Sequence, residues 1–147
     1  MNPILLHLLA STGYAALAVY HWRSLRRLGA APSAARFAVV HLLPALPLVV
    51  HCIVLSQSML RADGLYLGVG NAVSVIIALA VLIYGIGNLF YRLEALHVLI
   101  LPAAALLSLL PLAFAPLGPL GNTHLLAFRV HLLIALLSYS LLTIASF

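Results

Sequence analysis

The stretch Arg129-Val130-His131-Leu132-Leu133-Ile134-Ala135-Leu136-Leu137-Ser138-Tyr139-Ser140-Leu141-Leu142 decides the fold class. It is apolar around the whole circumference of a helix, with a histidine at its mouth and one Ser-Tyr-Ser patch inside. A helix on the surface of a water-soluble domain shows an apolar stripe and a polar face. An all-round apolar segment needs lipid or a large core. This one is still apolar at Phe147.

Working outward, the whole chain repeats the pattern. Of its 147 residues 65% are hydrophobic and 6% charged, with a mean hydropathy of +1.22. A soluble domain carries about 25% charged residues. This chain cannot cover its surface with polar groups, so the expected class is an all-α polytopic transmembrane bundle in a lipid bilayer. Barrel strands alternate in polarity, and these segments do not. The Met1-Asn2-Pro3 start has no positive region, so the first apolar stretch is expected to be a retained span.

Five spans follow within a single transmembrane domain: about 3–20, 37–60, 65–90, 95–115 and 130–147. There is no lysine, and the loop Trp22–Arg36 holds four of the seven arginines. The positive-inside rule makes that loop cytoplasmic. Alternation then puts the N-terminus, Arg61, Asp63 and 116–129 outside, and Arg92 and Glu94 inside. The +5 charge is a topology signal of this kind, not a nucleic-acid footprint. Gly70, Ser74 and Ala78 stand four apart and predict close helix approach. Pro44 and Pro47 are expected to kink the second span, and Pro102 and Pro111 the fourth, with Pro111 an alternative end to it. The segment 123–128 is expected to be helical, capped by Asn122 or Thr123. Cys52, inside an apolar segment, is expected to be a buried structural residue.

Histidine is the one repeated reactive type: His7, His21, His41, His51, His97, His124 and His131. His51 lies deepest, between Val50 and Cys52. Ionisable residues inside a bilayer usually face the bundle interior and have a partner. Two roles are open to it: an axial haem ligand or proton-path residue, or a neutral imidazole hydrogen-bonded to a neighbouring helix. His124 and His131 are seven apart and share one face if the helix is continuous between them. Arg129 is either a partner for an anionic head group or haem propionate or a snorkelling interface anchor. His7 and His21 suit the membrane interfaces, His41 and His97 suit structural positions, and Tyr139 suits hydrogen bonding between helices. No Walker A loop, His-Glu-x-x-His or Cys-x-x-Cys-His motif occurs, and no span holds two acids. No complete catalytic constellation is present, and a pump built on buried carboxylates is disfavoured.

The segment Val130-His131 to Ser138-Tyr139 and Leu141-Leu142 resembles the Val-His-x-x-x-x-x-x-Ser-Tyr-x-x-Leu segment of the CcsA/HemX-type cytochrome c assembly family, most of all its YpjD-like inner-membrane branch. Leu48-Val49-Val50-His51 and Gly68-Val69-Gly70-Asn71-Ala72-Val73-Ser74 also fit that branch in order and spacing. The resemblance implies a haem-handling protein of a bacterial-type inner membrane that works with apocytochrome c or other assembly subunits. It implies His131 as an external haem ligand, with His51 matching a membrane histidine of the branch. Arg129 and His124 stand beside His131 as candidate haem contacts. The family's tryptophan-rich motif and second external histidine come later than Phe147, and the one tryptophan here, Trp22, is on the opposite side. The resemblance therefore also implies that this chain is the N-terminal part of a longer domain. Two other readings remain: a transporter accessory or small-solute permease module around His51, and a scaffold that binds a partner helix through Gly70 and Ser74.

Overall fold

The computed structural model describes residues 2–25, 42–91, 96–116 and 118–146. The start of the expected second span, Arg26, Arg27, Arg36, His41, Arg92 and Glu94 lie outside the described residues. The regular structure of these residues is helical apart from one small hairpin: α1 Pro3–Leu25, α2 Ala45–Met59, α3 Val69–Phe90, α4 His97–Leu107, α5 Leu110–Ala113 and α6 Leu126–Ala145. Helices α1, α3 and α6 are long and apolar enough to cross a membrane, and the apolar α2 and the 97–113 segment are shorter.

Local chemistry explains the boundaries. The Asn2 side chain accepts the Ile4 N–H at 3.0 Å, which caps α1, and Pro3 enters at a position whose N–H has no helical partner. Pro44 and Pro47 do not kink a helix here. Pro44 is the N-cap of α2 and Pro47 its third residue, inside the first turn, where amides lack intrahelical acceptors. The expected fourth span is two pieces. Pro111, second residue of α5, has no N–H to offer Leu107, so the helix breaks over Ser108–Leu109 and restarts. Pro111 thus marks a restart and not an end. Pro102 is accommodated inside α4.

Between α2 and α3 stands a hairpin, β1 Leu60–Arg61 and β2 Gly64–Leu65, paired Leu60 with Leu65 and Arg61 with Gly64. Gly64 has φ +148°, a conformation open to glycine. The 118–125 segment docks on this hairpin, with Leu120 N–H on Leu65 O at 2.8 Å. The expected helix over 123–128 begins only at Leu126, after a turn in which Leu125 N–H bonds Asn122 O, and neither Asn122 nor Thr123 caps it.

Helix α1 packs on α2 and α4, and α3 packs on the same two, so the four close into a ring. Helix α5 and helix α6 add to the outside of α3. The ring interior is Tyr14, Leu17, Ile77, Ala80, Val81, Tyr84, Ile100, Leu101, Ala104 and Ala105. Two contacts are too close for any side chain. A Cβ on Gly70 would stand 2.7 Å from both the Leu110 and Phe114 carbonyl oxygens, and one on Gly13 would stand 2.9 Å from Pro47 Cβ. The small-residue face of α3 is therefore used within the chain, which removes it as a docking face for a partner helix. Ser140 is the buried residue of α6. Tyr139 is exposed and does not glue helices together. Cys52 is also exposed, on the outside of the ring, correcting its expected burial.

Candidate functional site

The interior of the ring is not purely apolar. On α1, His7, Tyr14 and His21 recur every seventh residue, so they stay on one face within about 20° per step. All three are buried. The same seam on the other helices brings in His51 from α2, Ser74 and Tyr84 from α3, and His97 and Ser108 from the α4 segment, all buried.

These groups form two clusters. Near the Asn2 end, His7 Nδ1 donates to the Ser108 carbonyl at 2.8 Å. About two turns further along α1, at the level of Tyr14, His51 Nε2 lies 2.8 Å from Ser74 Oγ and its Nδ1 lies 3.4 Å from the Tyr14 hydroxyl. A neutral imidazole donates through one nitrogen and accepts through the other, so His51 satisfies two neighbours without charge. Three helices are tied together at this point. At the same end Asn71 Nδ2 donates to Tyr66 O at 2.9 Å. At the other end the His21 and His97 rings stack at 4.2 Å with 19° between planes, and the Tyr84 hydroxyl lies 2.7 Å from His97 Nδ1. His7 and His21 are ~21 Å apart along α1. The buried residues Leu17, Ile77, Val81, Ile100 and Leu101 fill the space between the clusters.

The site residues expected from sequence fall in three separate places. His51 is wholly buried, 0% exposed. An axial haem ligand needs a free ring nitrogen and an open face for the porphyrin. Both His51 nitrogens are taken and the core closes round it, so His51 does not fit that role. His131 is exposed on the second turn of α6, with no partner among the described residues, and its imidazole fits a ligand chemically. His124 is exposed in the turn before α6. Because the helix starts at Leu126, His124 does not share a helical face with His131, correcting that expectation. Arg129 is exposed, and its Nε donates to Thr123 O at 2.5 Å. Residues two positions apart on one helix are turned about 200° from each other, so Arg129 and His131 point to nearly opposite sides. Among the described residues no three His, Cys, Asp or Glu side chains come together as a metal site.

Sequence reasoning placed His7 and His21 at interfaces and missed that His7 is buried on the Ser108 carbonyl and that His21 stacks on His97. The signal was present in the seven-residue spacing of His7, Tyr14 and His21, an a-position repeat of packed helices.

Beside Arg129 is a second feature. A groove of about 460 Å³ runs between the hairpin and the first turns of α6, with Arg61 and Arg129 both in its wall. Arg61 lies over the Tyr66 ring at 4.3 Å. The Tyr66 hydroxyl donates to Asp63 at 2.5 Å and holds that carboxyl below its ordinary range.

No protein-family model, no curated protein and no solved structure matches this chain. Among the described residues it is a helical protein with one small hairpin, and three of its helices are long and apolar enough to cross a membrane.

Proposed function

We propose that the chain is a five-span, haem-handling membrane protein of cytochrome c assembly, in the manner of the CcsA/HemX-type family and its YpjD-like branch, in a bacterial-type inner membrane. The observation that carries this reading is His131: an exposed imidazole without a partner among the described residues, in the segment Val130–Leu142 that bears the resemblance. The four histidines of the ring, by contrast, are buried among tyrosine, serine and each other. His131 would hold the haem iron through an imidazole nitrogen at the surface of α6. Haem, if bound there, would supply a redox-active iron, and an apocytochrome or another assembly subunit would be its recipient. Arg129 does not share that face, so propionate neutralisation falls to groups other than Arg129.

Five spans need α2 and the 97–113 segment to cross as well. At ~22 Å and ~25 Å they are short for a ~30 Å hydrocarbon core, and flanking residues and local bilayer thinning make up the difference. The N-terminus is then outside, with His124 and His131 on that side.

Haemin titration of the purified protein, followed by Soret absorbance, tests the haem reading. His131→Ala is expected to weaken haemin binding at least tenfold, while His97→Ala leaves it unchanged. Equal affinity in wild type and His131→Ala would end the reading.

The two buried clusters favour a second reading, a proton or small-solute path through the ring. It predicts flux in proteoliposomes that His51→Ala abolishes. The apolar layer from Leu17 to Leu101 weighs against it, since it breaks the chain of hydrogen bonds.

A further inference from the structure

The groove between the hairpin and α6 joins two kinds of surface. Its lining includes the exposed Arg61 and Arg129, two of the seven arginines in the chain. Its wall carries Leu60, Phe128 and Leu132. The nearby carboxylate, Asp63, accepts the Tyr66 hydroxyl and stays ionised beside Arg61, so two guanidiniums and one carboxylate leave one positive charge in excess. The single hydrogen bond Arg129 makes to Thr123 uses Nε, which leaves its Nη donors for another acceptor. Below the rim the exposed face of α6 continues apolar through Leu133, Ile134, Leu137 and Leu141.

We infer that this groove binds one anionic phospholipid, its phosphate between Arg61 and Arg129 and an acyl chain over Phe128 and Leu132. Arginine pairs with phosphate through parallel N–H donors, and the apolar wall selects an amphiphile over a soluble anion. A zwitterionic lipid offers the same phosphate but brings its own cation to a rim that is already positive. The inference rests on α6 lying in a membrane and not on haem.

Native mass spectrometry of the full chain in detergent tests it. The probes are phosphatidylglycerol and phosphatidylcholine with identical acyl chains, and glycerol 3-phosphate as the headgroup alone. One phosphatidylglycerol is expected to stay bound at least tenfold more than phosphatidylcholine, with no retention of glycerol phosphate. Arg61→Ala with Arg129→Ala is expected to remove that preference, and Arg61→Lys with Arg129→Lys to keep part of it. Circular dichroism checks that each variant is folded. Equal retention of both lipids, or a double alanine variant that still prefers phosphatidylglycerol, overturns the lipid site. Retention of glycerol phosphate shows a plain anion site and overturns it too. Carbonate extraction of native membranes separately reports whether the chain is integral to the membrane, so failure of the lipid site and failure of the membrane reading give different results.

Discussion

His51 is an expensive residue placed where its cost is offset. It sits 0% exposed in the ring, yet each nitrogen faces a hydroxyl, Tyr14 on one side and Ser74 on the other. Replacing it with alanine leaves both hydroxyls without that partner and opens a cavity. Unmade buried hydrogen bonds cost about 1–3 kcal/mol each. His51→Ala is therefore expected to lower stability by about 2–4 kcal/mol in detergent unfolding curves, and His51→Gln by less. The hairpin offers a second test at this scale. The Tyr66 hydrogen bond, then a hydrogen bond from the Asp63 backbone N–H, and last the nearby Arg61 hold the Asp63 carboxyl low. A carboxyl lowered in the folded state contributes stability above its unfolded pKa and loses it as pH falls through the folded value. Tyr66→Phe should move the Asp63 titration upward in a carboxyl-carbon NMR titration, and the hairpin should open at a higher pH in acid. Residue-level chemistry was only partly legible in sequence. The depth of His51 could be counted from its span. That both its nitrogens were taken could not, because Tyr14 and Ser74 come from other helices. The divergence of Arg129 from His131 was computable from 100° per residue alone.

The elements show where glycine and proline act by position and not by type. Gly70 lies against the Leu110 and Phe114 carbonyls, whereas a Cβ on Gly85 would meet nothing within 4 Å, in the same helix. Gly70→Ala must push α5 off α3, at about 1–3 kcal/mol. Gly85→Ala gains helix propensity, up to ~1 kcal/mol. Thermal unfolding of the two variants should therefore shift in opposite directions from wild type. The helices themselves were legible because hydropathy over 20 residues is a strong signal. The proline effects were not, since a proline kinks a helix or starts one depending on where the helix begins. Pro44 and Pro47 start α2, and Pro111 restarts the chain after Ser108. The hairpin was invisible, being two residues per strand with no alternation to detect.

At the scale of the molecule, four helices close a ring around two polar clusters, and α6 stands outside it against α3. That arrangement divides the described histidines into an enclosed set and an accessible set. The five-span proposal adds sides to it. In a Cys52→Ser background, cysteines at Ala62 and Gly121 should react with an impermeant maleimide added outside intact cells. A cysteine at Ser24 should react only after lysis. Labelling of all three from one side would refute alternation.

The enclosed and accessible histidines carry the account, and acylation by diethylpyrocarbonate followed by peptide mass spectrometry tests them most directly. In native membranes His124 and His131 should be modified, and His7, His51 and His97 should not. Haemin added first should protect His131. Modification of His51 at the rate of His131, or a His131 that haemin does not protect, would contradict it.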